Sequence, residues 1–449
     1  MIIEKLELNN FRRFEHLAAD FHPNLTVIVA RNGQGKTSVL DGITVALGTF
    51  VGAFDLGKAQ HIEKNDARLL RVDNQPEGEA QYPVEVSAVF AQPKIVVSRE
   101  LTGAKNKTTI RDAQAITEYG VQLQQMVRTG AQEPLPLVSY YGAGRLWKAH
   151  KNMERKQVLS ASRTMGYEDC LSPASNFVQC QQWMAKATFA EWDEQRRSPE
   201  QSMSVSMGER LAAIQDAVNF VLAEEGWSDF RYSPTHETLT MFSKNAGHLP
   251  VSLLSDGVRA MVAMVADIAF RCVRLNGYLG RQAAQQTQGI VLIDEVDIHL
   301  HPAWQQRVID TLRQAFPQIQ FIITTHSPQV LTSVDASCIR LLRQETDPDT
   351  GKQQTVVVPV TLQTKGVASS DLLAQIMGVD PIPDVPEAQS LSAYHALIEQ
   401  NLHEGTEGHV LRTQLDAHFG ADHPVMLECN RMIRLQGLKQ KLPLPKRSS

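Results

Sequence analysis

Residues 27–43 read VIVARNGQGKTSVLDGI, and their types and order suggest a grip on phosphate. The pattern G-x-x-x-x-G-K-[ST] curls backbone N–H groups around phosphate oxygens, while its lysine adds a full charge and its hydroxyl a magnesium ligand. Gly35, Lys36 and Thr37 match the end of that pattern, but Ala30 stands where its first glycine belongs. Alanine is excluded there only if the backbone needs a positive φ. A working ATP site is therefore expected, with Asn32, Gly33, Gln34, Gly35, Lys36, Thr37 and Ser38 as nucleotide contacts. The helix beginning near Thr37 would add the positively polarised end of its dipole.

Three later stretches offer chemistry that complements this loop. In GIVLIDEVDIHLHP, the apolar residues Ile290 to Ile293 read as a buried parallel strand with Asp294 and Glu295 emerging at its C-terminal end. Ligands of open α/β sheets bind at that end. Asp294 can hold the water shell of Mg²⁺, and Glu295 can polarise an attacking water. In QFIITTHSPQVL a second apolar strand delivers His326 to the same edge, where it can hydrogen-bond a terminal phosphate. In VSLLSDGVRAMVAMVADIAFR, Ser255, Asp256 and Gly257 open a long amphipathic helix, with Ser255 as its expected N-cap. A Ser-x-Gly at a helix N-terminus also makes a second cradle for an anion.

The elements around these residues supply the context they need. Residues 2–8 and 25–29 read as strands, and the second runs through the Gly-rich loop into a helix, the order a phosphate loop requires. Strands are also expected over 82–90 and 94–101, a helix over 113–127 and another over 206–225. Strand and helix signals alternate again from 236 to 343, and the Pro-rich DPIPDVPEAQS opens a small helical appendage. The expected division is 1–148 and 236–345 as two parts of one ATPase head, 149–235 as a mostly helical insertion, and 346–449 as a C-terminal region, helical from about 370.

Composition narrows the function classes. Of 449 residues 43% are hydrophobic and 21% charged, which is ordinary for a globular chain and enough for two or three cores. A net charge of −5 argues against coating nucleic acid or acidic membrane with the whole surface, though a local basic groove for DNA is compatible with it. Cys170, Cys180, Cys272, Cys338 and Cys429 form no C-x-x-C pair, so they read as reduced core residues of a cytoplasmic protein. No apolar run approaches the roughly 18 residues needed to span a membrane. His299 and His301 shape the loop after the acids in this reading. Tyr140, Tyr141, Arg145 and Trp147 could stack a base or nucleotide, although an aromatic-rich turn is more often core, and Arg145 is the one of the four expected close to the terminal phosphate. The basic tail 431–449 reads as a solvated end.

The phosphate loop, then L-S-D-G, then an acid pair after an apolar strand, then T-H-S-P, resembles the ABC-type ATPase heads shared by RecF-like, SMC-like and OLD-like proteins. That resemblance implies a mixed α/β head, Mg²⁺-dependent ATP hydrolysis, and a head-to-head homodimer or higher homo-oligomer. In it Ser255, Asp256 and Gly257 complete the site of the other protomer. The opening LELNNFRRF is similar too, which implies that Asn10 and Arg12 lie near the adenine. The chain lacks sustained heptads, a C-x-x-C hook, an L-S-G-G-Q segment and an acidic cluster for a nuclease of its own. LVSYYGAGRLW, GYEDCLSP and the tail from GVASSDLLAQIMGVD onward resemble the ATPase subunit of Septu-type bacterial antiphage systems, also found with some retrons. This narrower resemblance implies a separate HNH-type nuclease as partner, with the appendage as its docking site. The rival expectation is a DNA-repair ATPase that clamps DNA without a nuclease.

Overall fold

The structure, a computed structural model, describes residues 1–70, 78–144, 162–173, 177–196, 205–346, 348 and 351–441. Arg145, Trp147 and the last eight residues of the basic tail lie outside the described residues. The described chain divides into two units, Met1–Met377 and Gly378–Ser449.

The first unit is built on a mixed six-stranded sheet. Its order is Gln353–Pro359, Ile339–Thr346, Leu25–Val29, Ile319–Thr325, Gly289–Ile293 and Leu137–Tyr141. The last five run parallel, and only the Gln353–Pro359 edge is antiparallel. Every residue of the four strands from Leu25–Val29 to Leu137–Tyr141 is buried. Burial of both faces is what uninterrupted apolar runs such as IVLI require, because a strand with one wet face would alternate. The 353–359 strand, with its exposed and half-buried mixture, carries no such run.

A second, antiparallel sheet is ordered Phe14–Asp20, Ile3–Phe11, Val84–Phe90 and Ile95–Leu101. The helix Lys36–Val51 contacts both sheets and is buried along nearly its whole length. Close approach is made possible by Gly42, where an added Cβ would lie 2.7 Å from Leu8 Cδ2. Arg99, fully buried, ties the strand carrying it to this helix by donating to the carbonyl of Val45 at 2.9 Å. The phosphate loop is thus anchored at both ends, by a central strand behind it and by a helix clamped between sheets.

Within the expected insertion the described helices are Phe177–Gln195 and Met207–Leu222, followed by a three-stranded antiparallel sheet from Trp227 to Pro250. The helix Met207–Leu222 starts on a capping box, Ser206 accepting from Glu209 N–H while Glu209 accepts from Ser206 N–H. The 21-residue helix Asp256–Asn276 follows. The described residues of the second unit form three helices, Pro386–Glu399, Thr406–Phe419 and Pro424–Lys441, with a small core of Tyr394, Ile398, Leu415, Met426 and Cys429. All five cysteines are buried and free. No helix among the described residues is long and apolar enough to cross a membrane.

Candidate active site

Three strand ends of the six-stranded sheet meet at one edge. Strand Leu25–Val29 leads into the loop, Gly289–Ile293 into Asp294 and Glu295, and Ile319–Thr325 into His326. The loop turns on two residues in the left-handed region, Gly33 at φ 74° and Gly35 at φ 97°. A side chain at Gly35 would also strike Phe14, since an added Cβ would fall 2.4 Å from its Cζ. At Gly33 an added Cβ would meet nothing within 4 Å, so that turn faces open space. Ala30 is buried and is not among the residues with positive φ, so its methyl is accommodated without backbone strain. Its carbonyl accepts a bond of 3.3 Å from Lys36 Nζ.

The side chains converge. Lys36 Nζ lies 2.6 Å from His326 Nε2, a bond in which the ammonium donates to a neutral imidazole. Thr37 Oγ1 donates to Asp294 Oδ2 at 2.8 Å, joining residues 257 positions apart. Burial pushes the Lys36 pKa down, against the pull of Asp294, Glu295 and Asp297 in the other direction. His326 is lowered as well, by burial first and by Lys36 second. A partly desolvated ammonium at a helix N-terminus, with an imidazole beside it, suits an anion. Thr37 and Asp294 meanwhile offer adjacent oxygen ligands of the kind Mg²⁺ selects. These residues fit ATP with Mg²⁺.

Several supporting groups were not legible in the sequence. Thr324, fully buried, donates to Asp294 Oδ1 at 2.6 Å and accepts from Glu295 N–H at 2.8 Å. Glu295 itself has φ 50°, a conformation uncommon outside glycine that costs of order 1–3 kcal/mol and persists where surroundings impose it. Asp297 accepts from the Thr325 hydroxyl at 2.5 Å and from His326 N–H at 3.4 Å, so it holds the turn that carries the histidine. Only the D-E-x-D spelling could have hinted at this third acid.

The remaining expected residues have partners of their own in the surrounding elements. Arg12 is committed to Asp66, at 2.8 Å, and to Asp41 on the phosphate-loop helix, where Tyr140 also bonds. Asn10 donates to the Pro83 carbonyl at 3.0 Å. Both have positive φ, which makes them corners of the antiparallel sheet next to the loop helix. Ser255 occupies the N-cap position of Asp256–Asn276, but its hydroxyl makes no capping bond. Ser255 and Asp256 are exposed, and Asp256 pairs with Arg259 at 2.7 Å. Gly257 is buried against the His299 carbonyl. The only cap bond at the H-x-H is made by His301, whose Nδ1 accepts from Ala303 N–H at 3.3 Å. Among the described residues no group of three or more His, Cys, Asp or Glu could hold a metal. Tyr140 and Tyr141 are buried, and Tyr141 donates to Asp267 at 2.8 Å.

Residues 5–219 match the AAA domain family, and residues 187–332 match a second family described as an AAA domain, putative AbiEii toxin, type IV TA system. The chain is 25% identical to the retron Ec83 probable ATPase of Escherichia coli, over 95% of this chain and 85% of that one. It is 23% identical to the Septu protein PtuA of Bacillus mycoides (strain KBAB4), over 86% of this chain but only 46% of that one. The chain thus spans less than half the length of that Septu relative. Among solved structures, the Smc head bound to the C-winged helix domain of ScpA is 18% identical and covers 80% of this chain and 98% of that one, with a TM-score of 0.47. This chain carries AAA-type ATPase domains and is a relative of the retron ATPases and the Septu proteins PtuA.

Proposed function

We propose that this chain binds ATP with Mg²⁺ on Asn32–Ser38, hydrolyses it, and uses the nucleotide cycle to control a separate HNH-type nuclease in antiphage defence. The observation that carries the catalytic part is the convergence of Lys36, Thr37, Asp294, Glu295 and His326 at one sheet edge. Lys36 and His326 face the terminal phosphate and offset its charge. Glu295, fixed by Thr324, accepts the proton of the attacking water. Thr37 and Asp294 hold Mg²⁺, which when bound neutralises charge on the phosphates. Exposed Ser255 and Asp256, at a helix end without a side-chain cap, are suited to complete the site of a second protomer in trans.

The nuclease part rests on the relatives, which are named for retrons and Septu, and on a chain in which no acidic nuclease cluster is spelled. The test is a pull-down of tagged Glu295→Gln protein with ATP present, a variant expected to bind ATP and turn it over slowly. A stoichiometric HNH-type protein in the eluate supports the reading. Recovery of DNA alone would replace it with a DNA clamp. Unchanged turnover in Glu295→Gln would remove Glu295 from its role. Partial rescue on mixing Lys36→Ala with Ser255→Arg protein is the expected sign of composite sites, and a dead mixture refutes them.

A further inference from the structure

The hairpin beside the phosphate loop carries two adjacent arginines in different surroundings. Phe11 pairs with Phe14 across the strands Ile3–Phe11 and Phe14–Asp20, so Arg12 and Arg13 form the two-residue turn between them. Arg12, the first of the two, has φ 55°, in the left-handed region that such turns usually give to glycine. An arginine held there costs free energy and persists where its surroundings impose it.

Arg12 is imposed on from two sides. Its N–H donates to the Asp66 carbonyl at 2.5 Å and its Nε to Asp66 Oδ1 at 2.8 Å, while Nη1 donates to Asp41 on the helix Lys36–Val51. Its charge is spent on those two acids, and the turn is tied to the phosphate-loop helix. Arg13 is thereby brought to the loop itself. Its stem runs beside Gly35, the N-cap of that helix, where an added Cβ would come 2.8 Å from Arg13 Cδ. The guanidinium begins one bond further on, and the residue is exposed. Partial desolvation pushes its pKa down. Among the described residues no hydrogen bond or ion pair holds this fork.

We propose that Arg13 is a nucleotide-contacting residue, its fork taking phosphate oxygens that ADP and ATP share. This rests on the reading of Asn32–Ser38 as the nucleotide loop and adds to it a ligand from a second sheet. Backbone N–H groups at a helix N-terminus collect phosphate, and a guanidinium beside them can match two oxygens of one phosphate at once. Lys36 and His326 meet at the strand ends of the parallel sheet and face the terminal phosphate in that reading, whereas Arg13 comes to Gly35 from the antiparallel sheet. The glycine at position 35 leaves room for the stem of Arg13 as well as for Phe14.

ADP and the non-hydrolysable β,γ-imido analogue of ATP are titrated with Mg²⁺ into the full chain and its variants by calorimetry, and the urea midpoint of each protein is recorded. Arg13→Gln should weaken both nucleotides by about ten- to hundred-fold, the loss of charge-assisted bonds, at the parental urea midpoint. Parental affinity for both nucleotides in Arg13→Gln overturns the proposal. A loss confined to the ATP analogue would put the fork on the terminal phosphate and overturns it too. Should Arg13→Gln fail to fold, Arg13→Lys keeps the charge and loses the fork, and equal affinity there is the refuting result. Lys36→Ala separates the two readings: binding lost in Lys36→Ala but kept in Arg13→Gln sinks the role of Arg13 alone, whereas a parent protein that binds neither nucleotide sinks the loop and Arg13 together.

Discussion

Replacing Thr324 by valine keeps the shape of a fully buried side chain and removes one oxygen that serves two acids at once. The bond to Asp294 is charge-assisted, worth about 1.5–3 kcal/mol, and the Glu295 N–H left behind costs about 1–3 kcal/mol when unsatisfied. These overlap, because the backbone can relax, so a stability loss of about 2–4 kcal/mol is expected. The effect on turnover is separable. Glu295 is held in a left-handed conformation partly by this bond. Released, its carboxylate drifts from the line of attack, and displacements near 1 Å cost about a hundredfold. The assay pairs urea denaturation with ATP turnover and nucleotide binding. Turnover should fall about ten- to hundred-fold in Thr324→Val, while ATP affinity, which depends on Lys36 and the loop, changes less than about threefold. A folded variant that turns over at the parental rate would refute the claim that Thr324 aims Glu295.

Ala30→Gly should leave ATP affinity within about threefold by calorimetry, since Ala30 has no positive φ to relieve; a large gain would mean that the methyl intrudes on phosphate. Arg271→Met should lower stability to urea by about 3–5 kcal/mol, because it leaves Asp267 charged and buried after losing a 2.9 Å bond, whereas Arg271→Met with Asp267→Leu should recover much of that. Equal losses in single and double variants would count against this. His22, His61 and His326 are all held below the ordinary histidine value, chiefly by burial, so the unfolded chain takes up more protons as acidity rises. Their stability contribution is present above pH about 6.5 and is lost as pH falls through their lowered folded values, so the urea midpoint should decline from pH 7 to 5. A flat midpoint over that range refutes the assignment.

What the sequence disclosed was local. The run LTVIV followed by ARNGQGKTS, the acids after IVLI and the histidine after IQFIITT are each readable within a dozen residues, because a buried parallel strand spells itself in apolar letters. Their assembly was readable only as an order of segments. Phe14 under Gly35, Thr324 between the two acids and Asp297 beneath His326 depend on strand register across the sheet, which no local pattern states. Ser255 has the residue type of an N-cap and the position, but its hydroxyl leaves the helix unbonded, so type alone misjudged its local bond. The resemblance of LELNNFRRF places Arg12 near the adenine, while its bonds to Asp41, on the phosphate-loop helix, and to Asp66 join partners 29 and 54 residues away, which no local pattern states.

An added Cβ at Gly257 would lie 2.4 Å from the His299 carbonyl oxygen, and the chain from Glu295 to Leu300 is itself a tight succession of turns, Ile298 N–H bonding Glu295 and Leu300 N–H bonding Asp297. The exposed helix end at Ser255 and the loop bearing the acids therefore pack with no room for a side chain between them, so a displacement of one would press on the other. Such a lever obeys thermodynamic reciprocity: whatever factor a ligand at the acids applies to the grip on that helix end, a grip on the helix end returns to the ligand's affinity. Enlarging residue 257 would loosen the lever from both directions, and the two couplings should fall by the same factor.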